Sequence, residues 1–305
     1  MMKKSLIPIF CALAVAVCAA RESLPGVTSA VSLADHMAAQ LSGRTNGNTC
    51  DFVSKTGQVS FLFPAQPKLH PKFWLRDVTN ILASSVGRFA PREPNRQIMP
   101  WAVGGCLSAI SPRHCVAATH AYGDMNDPHL WLLPDGSFYT NSILALTNLG
   151  NDLTICLMTK TNPMSYRVLP DISSKVSGMK TWNYNSNKPA LAVLMHHASQ
   201  NTPYITTFAA ALLDNVARCG HVTNQLEFGN YDVGYTQIVG DSSSPIVTVI
   251  NNEAVFVCEV YYPMGGPAPG LRTNAVNAAM AGLSEAHGAP VYPLAVYDVS
   301  GFPDQ

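Results

Sequence analysis

Apolar residues along the chain come in short runs bounded by turn-forming residues, and few stretches have the three-to-four-residue spacing of an amphipathic helix. Two stretches do. Ser32 to Leu41 is rich in Ala, Leu and Met, and Ser32 stands where a helix cap belongs. Thr273 to His287 is Ala-rich, with Val276, Met280 and Leu283 in helical spacing. Elsewhere the pattern predicts strands. Val59 to Phe63 is strand-like. Gly104 to Ile110 and Cys115 to Thr119 read as the arms of a hairpin around Ser111-Pro112-Arg113. His129 to Leu133 and Ser137 to Leu146 form another around Pro134-Asp135-Gly136, and Leu153 to Met158 is a short apolar run. Pro163 and Pro170 mark a linker. A second series follows: Lys180 to Tyr184, Ala190 to His196, Tyr204 to Phe208, Gln225 to Phe228, Ile246 to Ile250 and Ala254 to Tyr261. After Gly288, Val291 to Val299 is a strand-like tail. Two sets of short strands joined by a Pro-containing connection predict an all-β protein of two small antiparallel barrels.

Composition agrees with a β-rich globular chain: 22 Pro and 21 Gly occur in 305 residues. Lys plus Arg equals Asp plus Glu at 19 each, only 12% of residues are charged, and no basic run appears. Nucleic acid is therefore excluded as a partner, because phosphate binding needs clustered cations. Residues 1–20 read as a secretory signal, with Lys3-Lys4 as the charged head, an apolar core from Leu6 to Val17, and cleavage after Ala20. The apolar run is too short to span a bilayer comfortably, so stable membrane insertion is not expected. Lipid attachment at Cys18 is the alternative; Val17 before it is larger than such signals prefer. The expected localisation is export, periplasmic or extracellular.

Export makes the six remaining cysteines relevant: Cys50, Cys106, Cys115, Cys156, Cys219 and Cys258. Cys156 and Cys258 lie within apolar strand-like runs and read as buried, inert thiols. Cys106 and Cys115 flank a tight turn, which leaves a bridge and two free thiols as alternatives. A turn centred on Ser111-Pro112 pairs Cys106 with a residue near Ala117.

Three segments carry chemistry. Val116-Ala117-Ala118-Thr119-His120 ends a β-type run in a histidine, whose imidazole can project into a cleft from a fixed backbone. Asn151-Asp152-Leu153-Thr154-Ile155 puts a carboxylate at the start of an apolar strand, where it can orient an imidazole. Gly240-Asp241-Ser242-Ser243-Ser244-Pro245 is a serine-rich turn leading into Ile246 to Ile250. Singly each has an ordinary structural reading: a loop histidine, a strand-entry aspartate, a polar turn. Together, separated by 32 and 90 residues, they supply a base, an orienting carboxylate and a nucleophile.

These segments resemble those of the trypsin/chymotrypsin-like serine proteases. The family's Thr-Ala-Ala-His is similar to Ala117-Ala118-Thr119-His120, its Asn-Asp-Ile-Ala-Leu to Asn151 through Ile155, and its Gly-Asp-Ser-Gly-Gly-Pro to Gly240 through Pro245. Gly104-Gly105 and Pro269-Gly270 resemble its glycine pair and Pro-Gly-Val. The resemblance covers roughly residues 98–287, and more loosely the chain looks like divergent exported bacterial members of this fold. It implies two six-stranded antiparallel β-barrels with a C-terminal helix. The signal (1–20) and an N-terminal extension of unknown role (21–95) would precede a protease domain at 96–305. The first barrel would occupy about 96–165, the second about 175–270, the helix 273–287 and a tail 288–305. It also implies a serine endopeptidase acting on polypeptides, without cofactor or metal. Ser242 would be the nucleophile, His120 the base and acid, and Asp152 the orienting carboxylate. The N–H groups of Gly240 and Ser242 would form the oxyanion hole, with Thr236 and Tyr261 at the substrate pocket. Thr236 carries no charge, so uncharged substrate side chains are expected.

The departures bear on activity. Ser243 replaces the glycine after the nucleophile, and positive φ there costs a serine strain that glycine avoids. Ala121 replaces the cysteine that follows the histidine. Val260-Tyr261-Tyr262 stands in for the Ser-Trp-Gly edge strand, removing a hydroxyl that supports the aspartate. No Ile-Val-Gly-Gly start is present to pair with Asp241. The competing expectation is therefore a catalytically silent binding module. His196-His197 do not suit a metal, since neighbours on a strand face opposite ways. His114-Cys115 lacks the loop of a cysteine nucleophile.

Overall fold

A computed structural model describes residues 31–44, 47–48, 69–88, 106–122, 125, 127–176, 191–196, 206–214, 218–221, 242–260 and 266–305. The elements, in chain order, are helix α1 (Leu33–Leu41) and then strands β1 (Gly87–Arg88), β2 (Ser108–Ala109), β3 (His114–Ala118), β4 (His129–Leu132), β5 (Phe138–Asn141), β6 (Ile143–Asn148) and β7 (Leu153–Met158). There follow β8 (Arg167–Val168), β9 (Leu191–His196), β10 (Thr206–Asp214), β11 (Arg218–His221), β12 (Pro245–Ile250), β13 (Glu253–Glu259) and helix α2 (Thr273–Ala286). Of the predicted segments, Val59 to Phe63, Lys180 to Tyr184 and Gln225 to Phe228 lie outside the described residues.

The two-barrel expectation is overturned. Among the described residues the strands form three open sheets, ordered β1-β4-β5, β2-β3-β7-β6 and β11-β10-β9-β12-β13-β8. None returns its last strand to its first. In the first series the cause is local. The run from Ser137 to Leu146 is not one strand, because its two ends belong to different sheets: β5 pairs with β4 and β6 with β7. Asn141 marks the break, its side chain donating to the carbonyl of Lys160 and accepting from the N–H groups of Ser142 and Lys160. In the second series β8 adds to β13 in parallel and ends the sheet instead of closing it. The tail also differs from expectation. Val291 to Val299 makes no strand, only an isolated parallel bridge from Val296 to Val168.

Strands β3, β7 and β12 are buried at every position, and β13 at all but Glu253. They read as continuous apolar runs because both their faces are covered. Val116, Leu153 and Ile155 from one sheet and Val247, Val249, Ala254 and Phe256 from the other share one core. The opposite face of β3 and β7, with Cys115, Ala117, Cys156 and Met158, packs around Trp131. α2 lays Val276 and Met280 on the shared core, and its entry needs Gly270: a Cβ there would sit 1.8 Å from the carbonyl oxygen of Leu169.

Residues from the N-terminal stretch complete that core. Phe73, Trp74, Leu75, Val78, Ile81 and Leu82 are buried in it. The backbone of Thr79 exchanges hydrogen bonds with Asn252 and Ala254, while Ala83 and Ser85 bond to Ala109 and Leu107. One segment therefore stitches the two larger sheets together. α1 is capped by Ser32, whose hydroxyl oxygen accepts from the Asp35 N–H at 3.1 Å. Leu33, Met37 and Leu41 form its buried stripe, and the Thr248 hydroxyl of β12 donates to the Met37 sulfur.

Cys106, Cys115, Cys156 and Cys258 are buried and in no disulfide, so Cys106 and Cys115 do not bridge. The register pairs Ser108 with Val116 and Ala109 with Cys115, which leaves Cys106 beyond the paired stretch. Burial raises the thiol pKa of Cys115 and Cys156, which keeps them protonated and unreactive. The side chains of Cys50 and Cys219 lie outside the described residues.

Candidate functional site

Register brings the histidine to the aspartate. β3 and β7 are antiparallel with Ala118 opposite Leu153, so the residues just past β3 meet those just before β7. The Thr119 N–H extends the ladder by donating to the Asp152 carbonyl at 2.9 Å. β7 is entered through the three-residue turn Gly150-Asn151-Asp152, whose φ of 74°, 54° and 64° are all left-handed. Asn and Asp are the non-glycine residues that tolerate this conformation best. Arg272, at the start of α2, donates to the carbonyls of Leu149 and Gly150 and so braces the same turn.

Asp152 grips His120 twice. One carboxylate oxygen lies 2.7 Å from His120 Nδ1, and the other accepts the backbone N–H of His120 at 3.1 Å. A carboxylate only accepts, so Nδ1 carries the proton and a neutral ring leaves Nε2 as an acceptor. His120 Nε2 is 2.8 Å from Ser242 Oγ, placing the serine hydroxyl as its donor. Both carboxylate oxygens thus have donors from His120 itself. The Asp152 side chain is 15% exposed and that of His120 48%, so the aspartate is largely sheltered while the ring opens to solvent.

Ser243 does take positive φ, at 69°. The backbone cost for a side-chain-bearing residue is about 1–2 kcal/mol. Its side chain is fully buried and its hydroxyl oxygen accepts the Ala118 N–H at 2.7 Å. On the other side of the turn, the Ser243 N–H donates to the Val260 carbonyl at 3.0 Å and the Val260 N–H donates to the Ser244 carbonyl at 2.8 Å. The serine turn is held from both flanks. Sequence reasoning identified the strain at Ser243 but missed the hydroxyl, whose buried acceptor role depends on a partner 125 residues away.

Gly240, Asp241, Thr236 and Tyr261 lie outside the described residues, as do Gly104, Gly105 and His197. No group of three or more His, Cys, Asp or Glu suited to a metal occurs among the described residues. No helix among them is long and apolar enough to cross a membrane. His114 is structural: Nδ1 lies 2.9 Å from the Ser111 hydroxyl and Nε2 3.2 Å from that of Ser284, linking the β2–β3 hairpin to α2. Its burial pushes its pKa down to about 4.

One further group escaped the sequence reading. Glu259, at the end of β13, is buried, and neither carboxyl oxygen has a hydrogen-bond partner among the described residues. Desolvation raises its pKa well above the usual range, and the Cys258 thiol and Asp152 carboxylate add to the effect. The nearby Ser108 hydroxyl offsets this only in part. An apolar run ending in a glutamate was visible in the sequence, but its burial was not.

His120, Asp152 and Ser242 thus meet at hydrogen-bond distances from three separate parts of the chain. No protein-family model matches this sequence, and no curated protein matches it.

Proposed function

We propose that this chain is an exported serine endopeptidase. The observation that carries the reading is the unbroken relay from Asp152 through the His120 ring to the Ser242 hydroxyl, at 2.7 and 2.8 Å. Such contacts match the nucleophile–base–orienter arrangement that activates a serine. The resemblance of the three segments to those of the trypsin/chymotrypsin-like proteases supports the choice of peptide bonds as substrate. The charged head and apolar core of residues 1–20 support export.

Ser242 Oγ attacks the substrate carbonyl carbon as its proton passes to His120 Nε2. Asp152 holds the Nδ1–H tautomer and stabilises the imidazolium that forms. The imidazolium returns its proton to the leaving amine, the C–N bond breaks, and an acyl-enzyme remains. Water then attacks the acyl carbon, giving its proton to His120, and collapse releases the acid and restores the Ser242 hydroxyl. The N–H groups of Gly240 and Ser242 are the proposed donors to the oxyanion, each supplying about 3–4 kcal/mol at the transition state.

The test is covalent labelling of the purified protein with a fluorophosphonate, alongside Ser242→Ala. The expected result is a single adduct on Ser242, absent in the variant. No Ser242-dependent adduct, in either the intact or the proteolytically trimmed protein, would overturn the reading and favour a binding module.

A further inference from the structure

Ala118 is the point where the three chemical groups are brought into register. It stands opposite Leu153, the residue after Asp152, and two residues before His120. That pairing fixes the imidazole against the carboxylate. Its N–H has a separate problem. Thr119 donates toward β7, so the Ala118 N–H, one residue earlier, points to the opposite side of β3, where β2 lies. β2 pairs no further along β3 than Ser108 with Val116, and the Ala118 amide has run past that pair. A buried N–H without an acceptor is costly, and the Ser243 hydroxyl supplies the acceptor. That hydroxyl belongs to the residue after Ser242.

We propose that Ser243 is a positioning residue: its buried hydroxyl ties the Ser242 turn to the strand end that carries His120 and so sets the Ser242–His120 distance. Where a glycine meets the demand for positive φ without cost, this chain accepts a strained serine and gains a cross-link from the nucleophile turn to β3. The backbone bonds of Ser243 and Ser244 to Val260 hold the turn to the end of β13. The Ser243 side chain reaches the His120 strand. The proposal rests on the serine-hydrolase reading for its catalytic consequence, though not for the geometry.

The test compares wild type, Ser243→Gly, Ser243→Ala and Ser242→Ala. Ser243→Gly removes the acceptor and relieves the strain, so its fold is retained even where Ser243→Ala is unstable. The first measurement is the ¹⁵N signal of His120 Nε2, which reports the Ser242 hydrogen bond without any turnover. The expected result is that Ser243→Gly moves this signal toward that of Ser242→Ala while the thermal midpoint stays near wild type. The second is the rate of fluorophosphonate labelling, expected to fall on the order of 10- to 100-fold, as for a misplaced reacting group. A Ser243→Gly protein with wild-type ring signal overturns the proposal whatever its labelling rate. A wild type that does not label, but whose ring signal moves in Ser243→Gly, overturns the hydrolase reading and leaves the positioning role standing.

Discussion

Two hairpins of this protein turn through a pair of left-handed Asn or Asp residues and put that pair to opposite uses. β6 and β7 are joined through Asn151-Asp152, with φ of 54° and 64°, after a third left-handed residue, Gly150, at 74°; β12 and β13 are joined through Asn251-Asn252 alone, with φ of 50° and 60°. In the first, the side chain at the second position points its acceptors at a histidine. In the second, everything goes to the fold. Asn252 accepts from Arg44 at 2.6 Å, donates its amide to the Asp77 carbonyl at 2.8 Å, and donates its backbone N–H to Gln40. Asn251 donates to the Tyr297 hydroxyl. That hairpin gathers α1, the 77–79 segment and the C-terminal tail. The turn fixes where the side chain starts, and one atom decides what it does. A carboxylate can only accept, so it orients an N–H-bearing ring; an amide also donates, so it can serve a carbonyl.

The largest effect should come from making the first hairpin like the second. Asp152→Asn keeps a residue that tolerates left-handed backbone, so the turn and the thermal midpoint should change little. The amide then offers a donor to Nδ1 and favours the wrong tautomer, and kcat should fall about 10⁴-fold. Labelling rates and thermal unfolding on one sample check both halves; a large loss of stability would show that Asp152 is chiefly a turn residue. Next in size is the reverse case. Asn252→Ala removes the two side-chain contacts, with Arg44 and Asp77, and leaves an alanine at φ 60°, with an expected cost of about 2–3 kcal/mol. Denaturant unfolding should register that cost while the labelling rate per folded molecule stays unchanged. A drop in rate would mean the second hairpin also shapes the site.

The same contrast explains how much of this protein was legible beforehand. Element type follows from short-range pattern, so α1, α2, β3, β7, β12 and most of β13 stand where the apolar runs and the Ser32 cap indicate. The triad segments were legible because each places its chemical group at a strand end or strand-entry turn, and β3–β7 pairing then brings His120 to Asp152. Sheet closure was not, because it depends on which neighbour each strand chooses. Asn141 divides a run that looks continuous, and β8 chooses β13, far away in sequence, in a pairing reinforced by Arg167 bonding to Glu253, 86 residues on. The use of residues 69–86 in the shared core was hidden for the same reason. The turn at Asn251-Asn252, flanked by apolar runs, carried a readable hairpin signal whose partners were distant.

A smaller effect separates two carboxyl groups at opposite kinds of site. Asp152 has donors for both oxygens, whereas Glu259, at the other end of the strand that leaves Asn252, has none among the described residues. Its raised pKa keeps it protonated in the fold, while in the unfolded chain it ionises above about pH 4.3. Above that pH the folded state therefore holds more protons, and stability falls as pH rises, by up to about 1.4 kcal/mol per pH unit. His114 acts in the other sense. Its folded pKa is about 4, so between there and about 6.5 the unfolded chain takes the extra proton and stability rises with pH. The two oppose each other in mildly acid solution, but above about pH 6.5 the His114 contribution is flat and, of the two, Glu259 acts. Glu259→Gln keeps the size and removes the ionisation. Its stability relative to wild type should grow as pH rises above about 4.3, where the unfolded chain ionises, and shrink toward that pH, measured by urea unfolding at each pH. A difference independent of pH across that range would mean Glu259 finds donors in the fold after all, and the contrast with Asp152 would disappear.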